Sequence, residues 1–299
     1  YICNRDTVEQ QWAESLSERG VVFETGESIT ADEYEHIVDD YEYVIDATGQ
    51  PSLTHKVTDS VEEYTGDMVA LNATVEGDFT EYTDWPRIFF EGYVGYAWSF
   101  PKSETEANVG IGWAGDERPD NYMNALEEAA KRNRFPMPDR EAVNIYTIPR
   151  GPSLDPQRTH LKQNNVFLVG DAAGIANRYQ GEGICQGIRS AYLLGDLIAD
   201  GRSDEYPDRL FSIMKSEYRL ARLMRGAWVE HEDPQLLAAI AESLEGLTID
   251  DITRQPRRVI NRIIRNPSIA AQLVLDTGMI KRLINAYTNS WEYNSVESV

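Results

Sequence analysis

The stretch Asn165–Gly174, NVFLVGDAAG, followed six residues later by Gly181-Glu182-Gly183-Ile184, constrains this chain more than any other part of it. Four apolar residues in succession, two of them β-branched, predict a strand buried on both faces. The glycines behind it predict a tight turn that closes against something bulky. An acid directly after the strand, flanked by residues with almost no side chain, leaves a carboxylate able to accept a hydroxyl hydrogen bond. Residues 184–198 predict a helix, so Gly181, Glu182 and Gly183 are expected to present backbone N–H groups at its positive end. A plain strand-to-helix turn would use the same glycines, and a bare G-D-x-x-G does not separate the two readings.

The longer pattern is more specific. G-D-A-A-G, six residues, then G-E-G-I resembles the second flavin-binding motif of the FAD-dependent oxidoreductases that include the geranylgeranyl reductases. The resemblance implies that Asp171, set among Gly170, Ala172 and Gly174, contacts the ribityl chain of FAD. It also implies that the helix opened by Gly181, Glu182, Gly183 and Ile184 points at the pyrimidine side of the flavin. Many members carry a proline where Arg178 stands here.

Two earlier stretches bear on the same ligand. Tyr43-Val44-Ile45-Asp46 reads as a parallel-type strand, and Ala47-Thr48-Gly49 as a small-residue turn where backbone can lie against a dinucleotide. Residues 7–19 predict a helix with Val8, Trp12 and Leu16 on one stripe; Gly20 ends it and Val21-Val22-Phe23 reads as a short strand. In the resembling family an arginine just ahead of such a helix reaches the cofactor. Arg5 matches that position, and a solvated arginine beside acidic neighbours fits the sequence equally well. The cofactor-binding set implied is therefore Arg5, Thr48, Gly49, Gly170, Asp171, Ala172, Gly174, Gly181, Glu182, Gly183 and Ile184.

No G-x-G-x-x-G turn opens the chain, although a complete FAD domain begins with one. The expectation is that roughly a hundred residues belong upstream, or that a partner segment completes the domain. The fold class expected is α/β, α+β overall. It comprises an N-terminally incomplete Rossmann-like FAD/NAD(P)-binding domain (1–55 and 149–200), an inserted antiparallel β substrate domain (56–148) and a C-terminal helical region (201–299).

Within 56–148 the informative segment is Gly92–Pro101, GYVGYAWSFP, whose period-two alternation puts Tyr96, Trp98 and Phe100 on one face. Ala107–Trp113 returns as its partner, with Gly110 and Gly112 leaving that face bare, so aromatics beside an empty surface predict a slot. Y-x-W-x-F-P followed by A-N-V-G-I-G resembles the geranylgeranyl reductase signature, whose aromatic segment helps shape an isoprenoid cavity. The resemblance assigns substrate contact to Tyr96, Trp98, Phe100, Gly110 and Gly112. Tyr96 is also a candidate proton donor, because a phenol can donate. Asn121–Asn133 predicts a helix with Tyr122, Leu126 and Ala129 at core spacing, and residues 148–152 a linker back to the FAD domain.

Composition narrows the class further. The net charge of −22 excludes nonspecific nucleic-acid binding, which needs a basic field. Residues 1–100 hold 22 acids against 4 bases, and the remainder is nearly balanced. An acid-rich, lysine-poor chain is also the pattern of proteins working in high salt. Two distant cysteines and four scattered histidines offer no metal-ligand spacing. A reducing cytoplasm fits, and no apolar run approaches the roughly 18 residues of a membrane span.

Residues 210–228 and 234–244 predict helices. In Pro256–Arg265 the residues Arg257, Arg258, Arg262 and Arg265 share one face and Val259, Ile260, Ile263 and Ile264 take the other. In so acidic a chain that face suits anionic lipid headgroups, hence peripheral contact at the inner membrane face; arginines paired with acids elsewhere would satisfy it too. The function expected is FAD-dependent reduction of isoprenoid double bonds. The substrate would be a prenyl lipid or prenyl diphosphate, and the electron donor NAD(P)H or ferredoxin. The alternatives are another flavin-dependent dehydrogenase or monooxygenase on this scaffold, or a catalytically silent fragment that binds lipid or a partner.

Overall fold

The structure is a computed structural model. It describes residues 3–58, 66–89, 95–114, 118–149, 159–161, 165–177, 181–230, 234–248, 251–252, 255–267 and 269–271. Gly92-Tyr93-Val94, the linker residues 150–152, Arg178 and residues 272–299 lie outside that set. Two compact units are present: residues 1–30 with 68–147, and residues 31–67 with 148–299.

The helices in chain order are α1 (Arg5–Ser17), α2 (Ala31–Asp40), α3 (Leu53–Val57), α4 (Tyr122–Asn133), α5 (Ile184–Ala199), α6 (Tyr206–Glu230), α7 (Pro234–Ser243) and α8 (Pro256–Ile264). The strands are β1 (Val44–Asp46), β2 (Gly66–Glu76), β3 (Arg87–Phe89), β4 (Gly95–Pro101), β5 (Glu106–Ala114), β6 (Asn144–Pro149), β7 (His160–Leu161) and β8 (Val166–Leu168).

The first unit is built on a five-stranded sheet of order β3-β4-β5-β2-β6, in which β4 and β2 both pair antiparallel with β5. Alternation sorts its residues. Leu71, Ala97, Val109, Ile111 and Trp113 bury one face against α4, whose Leu126 and Ala129 are fully enclosed. Asn121 caps α4 by accepting from the Asn124 amide at 3.1 Å, and Tyr122 stacks on Trp113.

The other face carries Tyr96, Trp98 and Phe100, with neighbouring ring centroids 5.8 and 6.0 Å apart. Here the predicted slot is partly filled. Trp98 lies opposite Gly110 in the register, and a Cβ at Gly110 would sit 2.3 Å from the indole and 2.4 Å from the Leu71 carbonyl oxygen. The indole lies across the space the glycine leaves and is only 9% exposed. Its Nε1 donates to Asn108 Oδ1 at 2.8 Å, which fixes the ring there.

Two expectations near the N-terminus are corrected. Helix α1 forms but buries no residue, and Trp12 is 55% exposed, so the Val8–Trp12–Leu16 stripe is not a core face. Val21–Phe23 pairs with no strand among the described residues, with Val22 82% exposed; apolar β-branched residues alone do not make a strand without a partner edge.

The second unit has a three-stranded sheet of order β1-β8-β7, with β1 parallel to β8 and β7 antiparallel to it. Val166, Phe167 and Leu168 are completely enclosed, as the continuous apolar run predicts. They pack with Leu194 and Leu197 of α5 and with Tyr206, Leu210, Met214 and Tyr218 of α6. Tyr206 Oη donates to the Leu168 carbonyl at 2.9 Å.

The glycines of the first unit generate a test. Gly110→Ala forces a Cβ into backbone and indole and is expected to destabilise by about 1–3 kcal/mol. Gly112→Ala, whose nearest neighbour would be at 3.5 Å, is expected to be tolerated. Urea unfolding of both variants checks this, and equal midpoints would contradict the placement of Trp98.

Candidate functional site

The site grows from the carboxyl ends of β1 and β8, which lie side by side in register Val44↔Val166, Ile45↔Phe167, Asp46↔Leu168. Parallel strands deliver their following turns to the same edge, so residues 47–50 and 170–174 emerge as neighbours. Gln50 Nε2 spans them, donating to the Ala172 carbonyl at 3.4 Å.

After β8 the chain tightens into a 3-10 turn, Gly170–Ala173, with positive φ at Gly170 (58°) and Gly174 (68°), where glycine is favoured. The Gly170 amide donates to Ser190 Oγ at 3.1 Å, and a Cβ on Gly170 would meet the Gly187 Cα at 3.4 Å. The turn is thereby pressed onto α5. Sequence reasoning missed Gly187 and Ser190, because a G-x-x-S inside a helix has no meaning until its partner turn is placed.

Asp171 points from this turn toward the start of α5. A Cβ on Gly183, the N-cap residue, would lie 2.6 Å from Asp171 Oδ1, so only glycine admits the carboxylate there. That oxygen is buried and has no hydrogen-bond partner among the described residues. Burial pushes the Asp171 carboxyl above the usual carboxylate range. A carboxylate oxygen removed from water and left unpaired beside a helix N-terminus is a fitting acceptor for a ligand hydroxyl, the role expected for it toward the ribityl chain.

Asp46 shows the contrasting arrangement. Its Oδ1 accepts from the Thr48 amide (2.9 Å) and hydroxyl (2.7 Å), and its Oδ2 from the Thr54 amide (2.8 Å). Burial raises this carboxyl, but the hydrogen bonds from Thr54 and Thr48 outweigh it and hold it below its ordinary value. Thr48 Oγ1 also accepts from the Leu53 amide at 2.7 Å, so the Thr48 hydroxyl is engaged in its own turn. Gly49, with φ 84°, has open space where a Cβ would be.

The segment before α5 departs from expectation. The Gly181 amide donates to the Asn177 carbonyl at 2.7 Å, and the Asn177 amide to the Glu182 carbonyl at 2.6 Å. Of the three N–H groups expected at the helix end, that of Gly181 is therefore spent closing the Asn177–Glu182 turn. A buried cluster behind it holds the turn: Glu217 of α6 accepts from Gln186 Nε2 (2.6 Å), Arg189 Nη1 (2.7 Å) and Asn177 Nδ2 (3.3 Å). Neither Gln50 nor Glu217 was singled out from sequence. Arg5 belongs to the first unit, where its exposed guanidinium pairs with Glu9. No group of histidine, cysteine and acid with metal-binding geometry is present among the described residues.

The two acids have opposite linkage to pH. Asp46, depressed when folded, contributes stability above the unfolded value near pH 4, lost as pH falls through its folded value. Asp171, raised when folded, imposes a penalty that grows as pH rises from about 4 and is complete above its folded value. At pH 7, without ligand, Asp171→Asn is therefore expected to raise resistance to urea. Asp46→Asn should lower it by about 1.5–3 kcal/mol as charge-assisted hydrogen bonds are lost. Shifts of the same sign in both variants would contradict this assignment.

Residues 84–147 match the family model of the geranylgeranyl reductase catalytic domain. A digeranylgeranylglycerophospholipid reductase of Methanospirillum hungatei JF-1 is 36% identical over 108 residues, covering 34% of this chain and 25% of that protein. The one from Methanocella arvoryzae is 24% identical over 190 residues, 60% of this chain and 47% of that protein. The chain thus spans between a quarter and about half the length of these curated relatives. The crystal structure of Klebsiella pneumoniae HpxO complexed with FAD and uric acid shares the fold, with a TM-score of 0.50 and 19% identity over 74% of this chain and 60% of that one. On the matched segment and these relatives, the chain is similar to the geranylgeranyl reductase family of FAD-dependent oxidoreductases, most directly over residues 84–147.

Proposed function

We propose that the protein reduces isoprenoid double bonds of prenyl lipids with FAD as its cofactor. The observation that carries this reading is the buried, unpartnered Asp171 oxygen at the ends of two parallel strands, in a chain whose residues 84–147 match the geranylgeranyl reductase catalytic domain. In this reading residues 1–55 and 149–200 serve the cofactor and residues 56–148 the substrate.

Asp171 accepts from a ribityl hydroxyl, while Gly183 leaves room for that contact. Gly170, Ala172, Gly174, Gly181, Glu182 and Ile184 contribute backbone around it, as do Thr48 and Gly49 after β1. Arg5 joins the set on the family resemblance alone. When bound and reduced, FAD supplies a hydride. An isolated alkene accepts hydride poorly, so alignment of the chain and a timely proton on the second carbon must supply most of the acceleration. Tyr96, Trp98 and Phe100 offer a continuous aromatic surface for an isoprenoid chain, and the Tyr96 phenol is the proposed proton donor. Gly110 acts indirectly, by making room for the Trp98 indole, and Gly112 leaves the face beside Tyr96 without a side chain.

The test is reconstitution with FAD, followed by incubation with digeranylgeranylglycerophospholipid and chemically reduced flavin. Mass spectrometry is expected to find two hydrogens gained per double bond. Asp171→Asn should weaken FAD binding by roughly tenfold or more, the worth of a charge-assisted hydrogen bond. Tyr96→Phe should slow reduction while leaving FAD affinity unchanged. An oxygen-dependent hydroxylated product would replace the reductase reading with a monooxygenase one.

A further inference from the structure

Helix α8 places Arg258, Asn261, Arg262 and Arg265 at spacings of three, four and seven residues, which brings them to one side. Together with Gly246, Leu247 and Asp251 they line an open cavity of about 370 Å³. The helix cannot easily rotate away from it, because Val259 on the adjoining face is 1% exposed and packs with Leu220 and Leu244.

The charges in the cavity are unbalanced. Asp251 is the one carboxylate lining it among the described residues, and it is already committed to the Thr248 amide (3.2 Å), the Thr248 hydroxyl (3.0 Å) and Arg258 Nη1 (2.6 Å). Those contacts, the Thr248 amide foremost, hold its carboxyl below the usual range. Arg258 is thereby fixed in place. Arg262 and Arg265 have no acidic partner among the described residues, in a chain whose net charge is −22. Guanidinium groups held on one wall of a concave site, with an amide between them, match the oxygens of a tetrahedral oxyanion.

We infer that this cavity binds a phosphate group, gripped by Arg262 and Arg265 with Asn261 donating beside them and Arg258 supplying a fixed positive field. The volume lies at the small end of ligand sites and admits a phosphate or diphosphate with room to spare. The phosphate can come from the headgroup of an anionic lipid in a membrane or from a free phosphate compound, and both present the same oxygens. This site does not depend on the flavin reading.

The experiment uses the full chain with Arg262→Gln/Arg265→Gln, and with Arg257→Gln as a control, since Arg257 is exposed on the same helix but does not line the cavity. Far-ultraviolet circular dichroism confirms that each variant is folded. Calorimetric titration with inorganic diphosphate, and sedimentation with phosphatidylglycerol or phosphatidylcholine vesicles, read the two sources. The double variant is expected to lose roughly tenfold or more in affinity, and Arg257→Gln to lose little. Saturable diphosphate binding without vesicle retention identifies a free phosphate compound. Retention on phosphatidylglycerol but not phosphatidylcholine, lost in the double variant, identifies a lipid headgroup. Absence of binding to every probe overturns the inference, and so does an equal loss in the control.

Discussion

The parallel pairing of Val44–Asp46 with Val166–Leu168 is the constraint on which the candidate site depends. The pairing is worth forming because Val166, Phe167 and Leu168 bury completely beneath α5 and α6, each such side chain contributing about 1.5–3 kcal/mol over its exposed state. Once those strands are side by side, their outgoing turns must share an edge. Gln50 and Ala172, 122 residues apart in sequence, then meet through a hydrogen bond.

That edge carries two acids whose environments set their roles apart. Asp46 is surrounded by donors from its own turn, so its charge is used to hold β1 to α3. Asp171 is buried without equivalent donors, at a position where Gly183 has no side chain to displace it. A fold tolerates an unpaired buried carboxylate oxygen only at some expense in stability, and such expense is characteristic of places where a ligand completes the hydrogen bonding. The Glu217 cluster has a supporting place: it ties the Asn177–Glu182 turn to α5 and α6, and so fixes where the helix end stands relative to Asp171.

In the sheet unit, the aromatic face is shaped by glycine as much as by aromatic residues. The register brings Trp98 opposite Gly110 and Tyr96 opposite Gly112, and the indole settles into the missing side chain's place, locked by Asn108. The resulting surface is flatter and more filled than an alternation pattern suggests. Length and polarity patterns report which face a residue takes, whereas the depth of that face depends on how far a large ring can tilt toward its neighbour.

The sequence by itself determined the elements whose signals are local: the buried strand 166–168, the glycine turn after it, helix α5, the antiparallel sheet with its aromatic face, and the amphipathic α8. It also carried the family resemblance that pointed to Asp171 and to Tyr96, Trp98 and Phe100. Tertiary structure alone decided whether those signals met a partner. Among the described residues, the Val8–Trp12–Leu16 stripe has the right period but is not buried, and Val21–Phe23 has β propensity but pairs with no strand. Gln50, Gly187, Ser190 and Glu217 became visible only when segments distant in sequence were brought together. Periodicity and turn chemistry are properties of a dozen neighbouring residues, but burial, an unpaired oxygen and a cavity wall are properties of what the rest of the chain places around them.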